Sequence, residues 1–336
     1  MQVRQMRSED LSQVNSIFAK AFSEARIDEG LKHHRVSPCR SEFMRMYLDR
    51  SGEGAFVAED RKRVAGFSFS HLYGLTGWMG PIAVLPRYQG SGVGKMLVTK
   101  SVDYLRGREA GIIGLETMPR NFRNIGFYLR LGFEAGPLCL DMVGRAHSGP
   151  PEDPDAPGEI LRFSERADSE RAELLDGIRK LSDDISPGLD YRGEVLLNMS
   201  HNYGETVILA DAAGDGGVAG LAVCHVEPYG QFEEKRELKI NVLAVNSAGE
   251  DGGLADEVVP SHGALARLSS LLYGVRELAA REGLSFVRVH PRVDKGHALR
   301  KLLSMGFTVA YSDLRMWVTG FRETEPASVV HFCRWQ

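Results

Sequence analysis

The sequence is poor in cysteine. Its 336 residues hold four, Cys39, Cys139, Cys224 and Cys333, and no two form a C-x-x-C pair. Thiols this sparse predict neither a zinc site nor a disulfide framework, and they fit a reducing compartment. Long apolar runs are missing as well. No stretch approaches the roughly 18 apolar residues of a membrane span. The opening Met1-Gln2-Val3-Arg4 lacks the apolar core of a secretion signal. An excess of basic charge is also missing. The formal net charge is −4, so no positive field is set up toward nucleic acid or anionic lipid. Together these absences predict a cytoplasmic globular protein with no metal, no nucleic acid and no membrane among its partners. Its length suits two domains.

Proline is concentrated in one place. Arg145 to Gly158 carries Pro150, Pro151, Pro154 and Pro157 with acidic residues between them. Proline removes backbone donors and the charges keep the segment solvated, so it reads as a linker. The expected division is residues 1–144, a linker 145–158, and residues 159–336. The two sides resemble each other. Val64-Ala65-Gly66 and Val218-Ala219-Gly220 are each followed, at the same offset, by a histidine, His71 and His225. Leu131-Gly132-Phe133 matches Met305-Gly306-Phe307, each closing a helix and opening a strand. Between these marks each half has an amphipathic helix. Val93, Met96, Leu97 and Tyr104 form one stripe, and Leu268, Leu271, Leu272, Val275 and Leu278 form the other. An opening helix begins near Ser8 and presents Leu11, Val14, Ile17 and Phe18. The fold class is therefore α/β (α+β): two tandem units, each a mixed central sheet flanked by helices.

The most informative segment is Ile82-Ala83-Val84-Leu85-Pro86, then Gln89-Gly90-Ser91-Gly92-Val93-Gly94-Lys95. A strand stops at Pro86 and a helix starts near Val93. Glycine at every second position lets the backbone approach a ligand closely. The helix N-terminus adds unpaired N–H donors and the positive end of a dipole. Such a cradle suits a phosphate or pyrophosphate. A P-loop is excluded because Gly94-Lys95 is followed by Met96, and a dinucleotide fingerprint because its third glycine would fall on Lys95.

Gln89-x-x-Gly92-x-Gly94 resembles the acyl-CoA loop of the GNAT (N-acetyltransferase) superfamily. A second stretch, Asn121 to Phe133, is similar to that superfamily's N-x-x-A-x-x-L-Y-x-x-x-G-F pattern at Asn121, Tyr128, Gly132 and Phe133, with Asn124 in place of Ala and Phe127 in place of Leu. The resemblance implies that acetyl-CoA is the cofactor and that residues 1–144 are the catalytic unit. It implies that Ile82, Ala83 and Val84 pair with the pantetheine arm through a bulged strand. Gln89, Gly90, Ser91, Gly92, Val93, Gly94 and Lys95 would hold the pyrophosphate. Asn121 would contact the pantetheine, and Tyr128 would act as general acid toward the leaving thiolate. The Val84 N–H would polarise the thioester carbonyl.

The implied reaction is direct transfer of an acetyl group to a primary amine of a small molecule. It needs a base, which the resemblance does not identify. Glu116 is the first candidate, because its strand runs toward the cleft. His71 is its rival, although His225 at the matching place favours a structural role. His33 and His34 lie in the segment that caps the acceptor site in this fold. The second half lacks the Q-x-x-G-x-G loop and has Leu302 where the first has Tyr128. It reads as a degenerate copy, so one acetyl-CoA site per chain is expected. The chain would be a monomer (a pseudo-dimer) or a homodimer. Transfer to a protein lysine or N-terminal amine, and a non-catalytic acyl-CoA sensor, are the competing readings.

Overall fold

The computed structural model describes residues 1–28, 30, 35–147, 158–211, 217–226, 237–246, 262–326 and 329–334. The proline-rich stretch, the acidic loop after Val245, and His33 and His34 lie outside the described residues.

The first half runs β1 (Gln2–Gln5), α1 (Leu11–Asp28), α2 (Ser41–Ser51), β2 (Phe56–Asp60), β3 (Arg63–Tyr73), β4 (Thr76–Val84), α3 (Val93–Gly107), β5 (Ile112–Thr117), α4 (Phe122–Arg130) and β6 (Phe133–Arg145). The second half repeats the order: β7 (Glu159–Arg162), α5 (Asp168–Ile185), α6 (Arg192–Ser200), β8 (Gly204–Ala210), β9 (Val218–His225), β10 (Glu237–Val245), α7 (His262–Arg281), β11 (Phe286–Val289), α8 (Gly296–Ser304) and β12 (Thr308–Val318). One further strand, β13 (Val330–Cys333), follows it.

Apolar periodicity sets these elements in place. On α7, Leu268, Leu271, Leu272 and Val275 are fully buried. Each such side chain contributes about 1.5–3 kcal/mol relative to an exposed one. On α3 the stripe is Val93, Leu97, Val98 and Leu105, all buried, while Met96 is 37% exposed and so leaves the predicted face. The opening helix starts at Leu11, after a short 3-10 turn from Ser8 to Asp10. It buries Val14 and Ile17 and half-buries Leu11 and Phe18. Helices α1 and α2 cover one face of the first half, with Phe43, Tyr47, Phe67 and Phe69 in their core. On the other face, α3 and α4 pack against Ile113 and Leu115.

Among the described residues, the strands form a single sheet in the order β1-β2-β3-β4-β5-β12-β6-β11-β10-β9-β8-β7, with β13 paired to β10. The halves are not laid simply side by side. Strand β12 of the second half pairs with β5 of the first, from Leu314↔Thr117 to Trp317↔Gly114. Strand β6 of the first pairs with β11 of the second, from Arg145↔Phe286 to Met142↔Val289. The last strand of each repeat thus completes the sheet of the other, and β6 and β12 pair along the middle. A division at residue 144 separates the repeats in sequence but not in the sheet. The two halves also meet on the α5 face, where Tyr73 and Trp78 pack with Ile178, Leu181 and Tyr191. A buried ion pair joins Arg50 of α2 to Glu194 of α6.

Candidate active site

Strand β4 pairs with β5 in parallel register only from Thr76↔Ile112 to Met79↔Leu115. Beyond that point the strands part. The cause lies on the other side of β4, where Gly80 and Pro81 together face the single Phe69 of β3, between Ser68↔Ile82 and Ser70↔Met79. A two-against-one bulge of this kind bends a strand out of its ladder. His71 fixes the bulge, because its Nε2 lies 2.8 Å from the Gly80 carbonyl oxygen and its Nδ1 lies 3.1 Å from Ser51 Oγ. After the bulge, Leu85 donates to the Ala65 carbonyl of β3 at 2.9 Å. Antiparallel alternation then turns the N–H and C=O groups of Val84 and Ile82 away from β3, toward the gap. Among the described residues no strand fills that gap. Ile82 and Val84 are half-buried and Ala83 is buried.

The glycine loop closes the end of the gap. Gly90 and Gly92 have φ of 79° and 89°, a region that glycine enters without strain. A Cβ on either would meet no atom within 4 Å, so the concave side of the loop is open. Gly92 is the N-cap of α3, and its carbonyl accepts the first helical bond from Met96 at 3.1 Å. The N–H groups of Gly92, Val93, Gly94 and Lys95 have no acceptor among the described residues, as a helix start dictates. Gln89 fastens the loop to the strand. Its Nε2 donates to the Val84 carbonyl at 3.1 Å, and Arg123 of α4 donates to its Oε1 at 2.8 Å. Ser91 turns its hydroxyl back to the Tyr88 carbonyl at 2.6 Å. Lys95 is exposed. The open loop, the free N–H groups and the vacant strand edge fit a phosphate-terminated, amide-bearing chain such as acetyl-CoA.

Helix α4 supplies the second motif. Asn121 caps it, its Oδ1 accepting from the Asn124 N–H at 3.0 Å. This leaves the Asn121 amide group to serve a ligand. Tyr128 is 8% exposed, with its ring against Phe127 and Phe133. Its hydroxyl has no hydrogen-bond partner among the described residues, and burial pushes its pKa up to about 12. It therefore keeps its proton at neutral pH and is free to donate it.

Glu116, the expected base, is placed differently. Its side chain is fully buried on the face of β5 opposite Ile113 and Leu115. Arg315 of β12 donates to its Oε1 through Nε at 3.0 Å and through a second nitrogen at 2.7 Å. His290 lies 3.2 Å from Oε2. Burial alone would raise its pKa, but His290 and Arg315 outweigh that and hold it well below the usual carboxylate range. A carboxylate so stabilised in its charged form is a weak base. The expectation therefore gives way to a buried ion pair between the halves, with the Arg315 guanidinium 5.1 Å from the Trp78 ring. His71 does no better as a base. Burial, with help from Arg50, lowers its pKa to about 3.

His290 and Arg315 were not legible as partners of Glu116, because they sit on the second repeat. His71 was visible, through its match with His225, but its hold on the bulge was not.

A family model, the acetyltransferase (GNAT) family, matches residues 13–133. This segment includes the glycine loop, the splayed strand and Tyr128. The first half of the chain belongs to the GNAT family. Two curated proteins are similar to part of this chain. The GCN5-related N-acetyltransferase 2, chloroplastic, of Arabidopsis thaliana is 36% identical over 92 residues, which is 26% of this chain and 34% of that one. The N-alpha-acetyltransferase 30 of Schizosaccharomyces pombe is 32% identical over 94 residues, 26% of this chain and 63% of that one. The chain thus spans less than two thirds of either relative. A tandem GNAT protein from the clavulanic acid biosynthesis pathway shares the whole fold, with a TM-score of 0.57, 13% identity and coverage of 98% of both chains. That likeness of fold extends over both repeats. No helix among the described residues is long and apolar enough to cross a membrane.

Proposed function

We propose that the protein is an N-acetyltransferase that moves an acetyl group from acetyl-CoA to a primary amine of a small molecule. The observation that carries this reading is the vacant edge of Ile82 to Val84 ending at the open glycine loop. Acetyl-CoA, when bound, supplies an activated acetyl group. The N–H groups from Gly92 to Lys95 would hold its pyrophosphate, and Ile82 and Val84 would pair with its pantetheine amides. Tyr128 would give its hydroxyl proton to the sulfur as the C–S bond breaks. The second half acts as a scaffold: it supplies β12 beside β5 and covers the end of the β3–β4 hairpin, where the Leu75 N–H donates to the Gly188 carbonyl at 2.8 Å.

Thiol release from acetyl-CoA across a panel of small amines, lysine peptides and peptide N-termini tests this. Turnover confined to small amines is expected. Faster turnover of peptides would transfer the reading to protein acetylation. Tight binding of CoA without turnover on any amine would make the protein an acyl-CoA sensor.

A further inference from the structure

The two repeats can be matched strand for strand at the splay. Gly66 of β3 pairs with Val84 and Ser68 with Ile82, while Gly220 of β9 pairs with Val245 and Ala222 with Leu243. Since Val64-Ala65-Gly66 corresponds to Val218-Ala219-Gly220, the segment Ile82-Ala83-Val84 corresponds to Leu243-Ala244-Val245. The second repeat is splayed too. β10 pairs with β11 in parallel only from Glu237↔Phe286 to Lys239↔Arg288, and a register shift lies between Ile240 and Val242. There the likeness ends. The gap beside Leu243 to Val245 holds β13, paired antiparallel from Val245↔Val330 to Val242↔Cys333.

We infer that β13 is a built-in stand-in for the pantetheine arm: it fills the second repeat's acyl-CoA slot with the chain's own backbone and leaves one slot per chain open. This rests on the reading of the first repeat's vacant edge as a cofactor slot. Three observations support it. Leu243, Ala244 and Val245 are fully buried, whereas Ile82 and Val84, uncovered, are half-buried. Val330 and Phe332 are packed into the core beneath α7, and Cys333 into the core beneath α5, so both faces of the strand are used. The strand is also tied down at its C-terminal end. The Arg334 N–H donates to the Asn241 carbonyl at 2.7 Å, and the Cys333 carbonyl accepts from Arg315 at 2.9 Å. A strand buried on both faces, paired along its length and tied down at its C-terminal end is a closure, and an incoming pantetheine would have to extract it.

Hydrogen–deuterium exchange of the full chain, with and without acetyl-CoA, tests the assignment. Acetyl-CoA is expected to slow exchange at Ile82 to Val84 about tenfold and to leave Val242 to Val245, already slow, unchanged. Phe332→Asp puts a charge into the α7 core and should speed exchange at Val242 to Val245 about tenfold, with the response of Ile82 to Val84 retained. If that variant loses protection throughout, Phe332→Ala replaces it. Slowing of Val242 to Val245 by acetyl-CoA, or protection there that survives disruption of β13, overturns the inference. A chain in which Ile82 to Val84 fails to respond to acetyl-CoA instead overturns the cofactor reading on which it rests.

Discussion

Two stretches of three residues, Ile82-Ala83-Val84 and Leu243-Ala244-Val245, occupy equivalent places on two similar splayed strands, yet they face opposite situations. The first looks onto a gap that ends at a glycine loop with free N–H groups. The second is covered by a strand of the same chain. Duplication supplied the bulge and the splay twice. What separates the two halves is what lies beside the splay: three alternate glycines and a tyrosine in one, a short apolar strand and Leu302 in the other. A fold can keep the geometry of a site after it has lost the chemistry.

The widest break in the comparison is expected at the centre of the sheet. Arg315 and Asp141 lie at matching places, each the eighth residue beyond its repeat's Gly-Phe phenylalanine. Arg315→Leu leaves Glu116 buried without its cation and should cost about 3–5 kcal/mol in urea unfolding. Asp141→Leu should cost less, because its partners Arg288 and Arg334 are 20% and 17% exposed. Equal losses would deny the asymmetry. Next in size, Tyr128→Phe should lower kcat about a hundredfold with little change in KM. The mirror variant Leu302→Tyr should leave turnover unaltered. A Tyr128→Phe enzyme at full speed would remove the general-acid role.

Gly92→Asp forces a side chain into a φ of 89° and a carboxylate onto the cradle. CoA affinity measured by calorimetry should fall about thirtyfold, which corresponds to about 2 kcal/mol. The smallest effect is one the halves share. His71 and His225 are both buried and held neutral, His71 with a pKa of about 3 and His225 well below its usual value. In the unfolded chain each titrates near about 6.5. Unfolding therefore takes up protons below that pH, so this stability is complete above about pH 6.5 and drains away as the pH falls toward 3. From pH 6.5 to 5 each histidine should cost about 1.6 kcal/mol. His71→Asn should flatten the acid limb of urea midpoints plotted against pH, and an unchanged limb would count against a neutral buried His71.

Much of the first half was readable because its signals are local. Glycine spacing locates the loop, helical periodicity locates α3 and α4, and Asn121 to Phe133 spans a single helix and its exit. The fate of Glu116 was not readable. Its position on β5 was correct, but its environment is set by Arg315 and His290 of the other repeat, and no local pattern encodes that pairing. β13 escaped for a related reason. Val330-His331-Phe332-Cys333 is too short and too ordinary to announce which edge it covers. Met96 left its predicted face because a helical stripe marks a direction, and its edge residues depend on how far the neighbouring strand reaches.

The exchange of β6 and β12 also governs how the chain must come together. Glu116 and Arg315 are 199 positions apart, and β5 gains its neighbour only when β12 has been made. A ribosome that has released the whole first repeat has released a sheet with β5 still at its rim. Contacts this remote slow folding, and an unpaired strand edge invites pairing with other chains. Each repeat therefore holds the other's missing piece, and the first half owes its finished state to residues translated after it.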